Sequence, residues 1–381
     1  MSRSLKRITL VVDPLPSGFS VQMTFLKSVI SLLDNRFLVS VYSNYFSPSK
    51  KKELLEVGLS VKEKKGRVFS RSLKKILFPH LNESLLWSVN WIFDALEIIK
   101  LKVSDENVFV GSDYVIDLSS TVMPKSDVWW IQGPPFFEVL ETMSKSNIII
   151  RTILKLFSKQ LMKASTNIIN EKVRRSRQLV ANSKYISSIY KEYGINIANV
   201  VHSSQNFEFF KPCGTNHNDN FVLTYIGKET DVDTLVSLAR SGINLVGFGS
   251  KIPPGMGMQK IKKYIRFLGR VSNDELVRLY SSAKFFAFPF TNEPFGYTPI
   301  ESMLCGAPVL TYNKEGPSET VINGETGWLV NTKEEFIQKA YQLWNSTDSG
   351  IDPRKCIQRG SELKLKYELD KLIKIMVAVA S

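Results

Sequence analysis

A chain of 381 residues that is 43% hydrophobic and 23% charged is long enough for two domains with full cores and has an ordinary globular composition. No run reaches the roughly 18 apolar residues of a membrane span, and Met1-Ser-Arg-Ser-Leu5 lacks the apolar core of a signal peptide, so a cytoplasmic chain is expected. Cys213, Cys305 and Cys356 are widely spaced and odd in number, which points to neither a disulfide framework nor a zinc site.

The net charge of +14 is unevenly placed. Lys50 to Lys75 holds ten Lys/Arg against three Glu, and Lys145 to Lys191 holds eleven against Glu171 alone. A solvated face is the plain reading; an anionic membrane surface is the sharper one. Trp87, Trp91 and Phe93 follow the first run, and Ile148-Ile-Ile150, Leu154 and Phe157 stand inside the second among Lys155, Lys159 and Lys163. That mixture suits basic amphipathic helices on a bilayer, although helices facing a core share it. No nucleic-acid-binding motif accompanies the charge, so nucleic acid is not an expected partner.

In chain order, Arg7 to Val12 reads as a buried strand, Asp13 to Gly18 as a loop and Val21 to Leu33 as a helix. Phe37 to Tyr42 is a second strand. Val108-Phe-Val110 is another, with Asp113 in the loop at its carboxyl end as a candidate at the rim of a cleft. Val128 to Ile131 follows, then Gln132-Gly-Pro-Pro135. Gln132 cannot exchange protons near neutral pH but can hydrogen-bond a hydroxyl through either end of its amide. His80, His202 and His217 are read as bystanders. The polar stretch Cys213 to Asn220 has no apolar period and marks a linker.

The second half restarts with the strand Phe221 to Ile226, then Gly227 and Lys228. Asp231-Val-Asp233 spells an Asp-x-Asp string, but it opens the expected helix Val232 to Arg240, whose positive end acidic residues favour; no metal is called for. Strands are expected at Ile243 to Val246 and Ile265 to Val271, a helix at Asn273 to Ser281, and a last helix at Leu363 to Val379. Phe285 to Phe288 reads as a buried strand that ends at Pro289 in a loop carrying Asn292, Glu293 and Gly296. Thr298 is expected to cap the next helix, with Pro299 at its first position and Glu301 completing a capping box. Gly306 ends that helix, and Val309 to Tyr312 is the following strand. Such a loop and helix start form an anion-favouring crevice at a strand's carboxyl end, flanked by two carboxylates suited to sugar or ribose hydroxyls.

Glu293 and Glu301, separated by seven residues with Phe295-Gly296 between them, then Gly306-Ala-Pro308 and Gly324-Glu-Thr-Gly327-Trp-Leu-Val330, resemble the donor-site signature of family 4 retaining glycosyltransferases. The resemblance is dense over about 45 residues and implies an α/β GT-B fold: two doubly wound Rossmann-like domains facing across a cleft. The corresponding segments are an acceptor-binding domain at 1–212, a nucleotide-sugar-binding domain at 213–360 and a carboxyl-terminal helix at 361–381 that crosses back to the first domain.

The resemblance also implies roles. Glu293 contacts the donor sugar and, with Lys228, is the catalytic candidate. Gly296, Tyr297, Thr298, Lys228 and Gly18 meet the sugar and diphosphate, while Glu301 meets the ribose and Gly269, Arg270 and Val271 border the base. Gln132, where many family members carry a histidine near the reacting sugar, and Asp113 are acceptor-side candidates. Only Gly18 remains of the family's glycine-rich first loop. A second phosphate-binding cation has no counterpart after Lys228, for which Arg270 or Lys314 are the candidate substitutes. The implied activity is retaining, metal-independent transfer, without a cofactor, from a nucleotide sugar to a hydroxyl of a glycan or lipid-linked acceptor, on a cytoplasmic protein able to lie peripherally on a membrane. A nucleotide-sugar epimerase and a non-catalytic binder with a degenerate site remain alternatives.

Overall fold

The computed structural model describes residues 5–13, 15, 21–33, 36–43, 46–63, 111–120, 122–134, 148–203, 207–214, 220–227, 229–249 and 258–380. Alternating strands and helices build two sheets, and every pairing within them is parallel. The first contains β1 (Arg7–Val11), β2 (Leu38–Ser43), β3 (Ser60–Glu63), β4 (Tyr114–Asp117), β5 (Ser126–Ile131), β6 (Ser176–Ala181) and β7 (Asn199–Val200), in the order β3-β2-β1-β4-β5-β6-β7. The second contains β8 (Val222–Tyr225), β9 (Leu245–Phe248), β10 (Arg266–Gly269), β11 (Phe286–Phe288), β12 (Val309–Tyr312) and β13 (Gly327–Val330), in the order β10-β9-β8-β11-β12-β13.

Both sheets are buried on two faces, which is why their central strands are continuous apolar runs instead of alternating ones. Phe286, Ala287 and Phe288 of β11 are all buried, as are Ile8, Leu10 and Val11 of β1. The order reverses between β1 and β4 in one sheet and between β8 and β11 in the other. At such a point adjacent loops run to opposite faces and leave a crevice at the strands' carboxyl ends.

Most expected elements are present with shifted ends. The helices Val21–Leu33 and Val232–Arg240 match, and Asp231 caps the latter by accepting from the Thr234 amide at 3.2 Å. That accounts for the Asp-x-Asp string as a helix start. The expected strand at 243–246 is instead Leu245–Phe248, because Ile243 packs under the preceding turn and its amide donates to Leu238 O. The expected strand at 108–110, the first basic run beyond residue 63, Trp87, Trp91, Phe93, His80 and His217 lie outside the described residues.

The second basic run contains one 28-residue helix, Ile148–Arg175. Among the described residues no helix is long and apolar enough to cross a membrane. Cys213, Cys305 and Cys356 form no disulfide.

Asp117 and Lys172 form a fully buried ion pair at the carboxyl end of β4. Lys172 also donates to Val122 O at 2.6 Å, its ammonium lies 4.8 Å from the Trp129 ring centre, and Asp117 accepts from the Ser119 amide and hydroxyl. A buried pair is tolerated when both ions are saturated in this way.

The second core begins ahead of Cys213, since Phe207 is already buried within it. The helix Leu365–Ala380 leaves that domain and returns to the first. Leu365, Leu369, Leu372 and Met376 recur at helical spacing and join the core around β1, β2 and the helix Val21–Leu33. Leu369→Ala and Leu372→Ala are therefore each expected to lower stability by about 2–5 kcal/mol. Urea unfolding that follows the first domain would read this loss.

Candidate donor site in the second domain

The loops after β8 and β11 are joined at the switch point. The Thr291 amide donates to Glu229 O at 2.8 Å and the Asp231 amide to Pro289 O at 3.0 Å. Thr230 turns its hydroxyl onto the Gly227 amide, closing the loop after β8 at its base.

Glu293 lies in the loop between β11 and the helix Tyr297–Leu304. Its carboxylate accepts from the amides of Gly296 at 3.0 Å and Phe295 at 3.3 Å, and its own amide donates to the Glu315 carboxylate at 2.5 Å. The Gly316 amide donates back to Glu293 O at 3.0 Å. A Cβ on Gly316 would fall 2.2 Å from Phe295 Cα, so only glycine permits this approach. Glu315 adopts φ +54°, the one positive value among described non-glycine residues, and thereby aims its carboxylate at the Glu293 amide.

The helix begins two residues earlier than expected. Gly296, at φ +90°, stands at the cap position, Tyr297 is the first helical residue, and no side chain caps the turn. Thr298 is therefore not the cap, and Pro299 sits third, where its missing N–H still costs nothing because the first four amides have no intrahelical partner. The expected capping box does not form. Glu301 instead turns inward and accepts from the Tyr280 hydroxyl at 3.1 Å.

Burial pushes the Glu301 carboxyl up to about 8, with the Tyr280 hydrogen bond opposing the rise. Burial also raises the hydroxyls of Tyr225, Tyr280 and Tyr297, so all three are neutral.

Gly269 has φ +74° at the end of β10, and its carbonyl accepts from the Gly249 amide at 2.8 Å. Exposed Arg270 and half-buried Val271 follow it on the same carboxyl edge as Glu293. Lys314 follows β12, with its ammonium 5.1 Å from the Phe290 ring centre and 3.3 Å from Thr291 O, beside the joined loops. Lys228 and Gly18 lie outside the described residues. Among the described residues no group of three His, Cys, Asp or Glu is arranged to hold a metal.

On the facing domain, Gln132 follows β5 and meets the site through a polar chain. Asn182 donates to Gln132 O at 3.1 Å and lies 3.4 Å from Ser203 Oγ, and the Tyr297 hydroxyl donates to Ser203 O at 2.5 Å. The carboxyl edges of the two sheets thus meet at Ser203 and Tyr297.

Asp113 is elsewhere. It precedes β4 and accepts from the Arg7 amide at 2.7 Å, at the amino edge of the sheet. The expectation that it borders the cleft is corrected: residues 114–117 form a strand, so Asp113 stands before a strand instead of after one. His202, read as a bystander, lies between Glu319 and Glu368. Glu315 and Glu319 were not singled out in the sequence. The turn string Glu315-Gly316-Pro317 was the available signal for the first, and spacing carried none for the second.

A carboxyl whose folded pKa is raised stabilises the fold only while protonated. The cost enters as pH rises past the unfolded value of 4.5 and is complete above about 8. Glu301→Gln is expected to match the parent's melting temperature near about pH 5 and to exceed it near about pH 9. Thermal melts across that range check the sign.

Residues 258–362 match the family model described as glycosyl transferases group 1. The chain is 27% identical over 206 residues to an uncharacterized glycosyltransferase of Methanocaldococcus jannaschii, covering 52% of this chain and 57% of that protein. It is 49% identical over 65 residues to the alpha-1,3/1,6-mannosyltransferase alg-2 of Neurospora crassa, covering 17% of this chain and 14% of that one. The chain therefore spans from about a seventh to just over half of these relatives' lengths. Its fold matches the Anabaena protein HepE, solved in complex with UDP, with a TM-score of 0.63 at 15% identity over 98% of this chain and all of that one. Two facing doubly wound domains and a group 1 match that spans the Glu293–Glu301 loop and helix mark a chain of GT-B fold whose second domain resembles the group 1 glycosyl transferases.

Proposed function

We propose that this protein transfers a sugar, with retention, from a nucleotide-sugar donor to an acceptor hydroxyl. The observation that carries the reading is the loop 293–296: a carboxylate, two backbone amides and a helix start converge at the switch crevice of the domain that matches the glycosyl transferases. Glu293 would exchange its bonds to the Phe295 and Gly296 amides for donor-sugar hydroxyls, freeing those amides for the diphosphate. Tyr297 and Thr298 at the helix start, with Lys228, add positive potential for the same phosphates. Glu301 receives the ribose, and the Gly269–Val271 edge borders the base. Gln132 presents its amide to hydroxyls from the facing domain. The UDP of the HepE complexes makes uridine diphosphate sugars the first donors to test.

In this mechanism the bond from the anomeric carbon to the diphosphate oxygen breaks while the acceptor oxygen bonds to that carbon on the same face. The acceptor proton passes to the leaving phosphate. No protein nucleophile is used, and the developing phosphate charge is met by amides and Lys228 without a metal. Glu293→Ala and Lys228→Ala are each expected to cut turnover by about 100-fold or more while leaving the fold intact. Single-turnover release of nucleotide, with and without chelator, tests both; parental turnover in both variants sinks the assignment. Donor bound without turnover would indicate a non-catalytic binder, and donor converted with no acceptor present an epimerase.

The acceptor proposed is a glycan or lipid at an anionic membrane surface, supported by the +14 charge and its concentration in the first half. Sedimentation with anionic vesicles is expected and should be reversed by salt. Equal binding to neutral vesicles would remove the electrostatic part of this reading.

A further inference from the structure

His202 follows β7 at the start of the connection between the domains, and its ring touches three separate parts of the molecule. Its Nε2 lies 3.5 Å from Glu319 of the helix Pro317–Thr320 in the second domain. Its Nδ1 lies 3.5 Å from Glu368 of the returning helix Leu365–Ala380, whose carboxylate also accepts the His202 amide at 2.8 Å. Its face stacks on Phe295 of the donor loop, with ring centres 5.3 Å apart and planes at 26°.

Glu319 is itself the tie between the domains. Its two carboxylate oxygens accept from the amides of Lys184 and Tyr185 at 2.8 Å each, at the start of the first-domain helix Lys184–Glu192. Ser203, the next residue after His202, accepts the Tyr297 hydroxyl.

We propose that His202 is a positioning residue which, when protonated, latches the two domains together through Glu319 and Glu368 and seats Phe295 under the donor loop, and which releases that latch when neutral. The identity of the loop as a donor loop rests on the function proposed above. The latch does not, and its test uses no donor.

The charged groups around the ring agree with this role. Glu319 and Glu368 face it from two elements. Lys371 pairs with Glu368 at 2.6 Å, and Arg359 donates to the backbone carbonyls of Glu319 and Thr320 at 2.7 and 3.0 Å, which leaves the Glu319 carboxylate to the Lys184 and Tyr185 amides and the imidazole. Both imidazole nitrogens are buried and make no well-formed hydrogen bond, so their coupling to the carboxylates is Coulombic and depends on the ring's charge. Burial alone would lower the imidazole pKa, but Glu319 and Glu368 outweigh it and raise the value above the usual 6.5. A histidine raised in the closed form stabilises closure below its open-form pKa and loses that contribution as pH climbs through the closed-form value. The latch is therefore engaged on the acid side and weakens as pH climbs through the raised imidazole value.

The test is hydrogen exchange of the full chain between about pH 5.5 and 8.5, with protection factors corrected for intrinsic rates, alongside an NMR titration of the imidazoles. The His202 resonance is assigned by its loss in His202→Gln. In the parent, protection of the Lys184 and Tyr185 amides should fall across the His202 titration, about tenfold for each unit by which closure raises its pKa. His202→Gln should show low, pH-independent protection there. Glu319→Gln, which keeps an acceptor for the same amides, should return the His202 midpoint toward its usual value and flatten the profile. Parental protection that does not change with pH, or a pH dependence that survives in His202→Gln, overturns the proposal.

Discussion

The site depends on one close approach, that of the Gly316 backbone to Phe295. A Cβ there would overlap Phe295 Cα and N and the Pro294 carbonyl carbon at 2.2–2.4 Å, so the turn after β12 and the loop after β11 can touch only through glycine. The contact is closed by two hydrogen bonds to Glu293, one from the Gly316 amide and one to the Glu315 carboxylate. Glu315 accepts a left-handed backbone to make its bond, a conformation that usually costs a non-glycine residue of order 1 kcal/mol or more. A carboxylate pinned at its own backbone in this way is held ready in the crevice and does not wander on a free loop.

From that contact the arrangement spreads outward. Pro317 Cγ lies 3.2 Å from where a Gly296 Cβ would stand, and Gly296 holds φ +90° at the cap before Tyr297. Starting there points the Tyr297 ring at the facing domain, where its hydroxyl reaches Ser203. The same helix carries Glu301 to Tyr280 in the second core. The Glu293 carboxylate, the helix start and the interdomain contact thus share one short segment, and a shift at Gly316 would move all of them.

The charge distribution separates two kinds of electrostatics. One buried pair is saturated: Lys172 and Asp117 in the first domain are enclosed by Ser119, Val122 and Trp129. They place the loop after β4 at the carboxyl edge, and removing either partner would strand a buried charge. The surface excess of cations is different in kind. It is exposed to screening, acts over about 8–10 Å at ordinary salt, and concerns encounter with partners more than the fold.

Local signals were enough for much of this. Apolar runs fall on buried parallel strands because both faces of each sheet are covered, and the Asp231 cap places its helix from four residues of local chemistry. The spacing of Glu293 and Glu301 and the nearby glycines marked the crevice, since those residues are neighbours in the chain. What lies far apart in sequence was not legible. The sequence suggested a capping box at Thr298 to Glu301, but the fit of Gly316 against Phe295 moved the helix start and the core claimed Glu301. Asp113 changed edges because its strand follows it. His202, Glu319 and Glu368 are brought within 3.5 Å across as many as 166 residues of separation. The sequence by itself determined the class of fold and the segment that bears the site; the tertiary structure alone decided which carboxylates face a hydroxyl, an amide or an imidazole, because those partners are set by packing between elements and not by spacing within one.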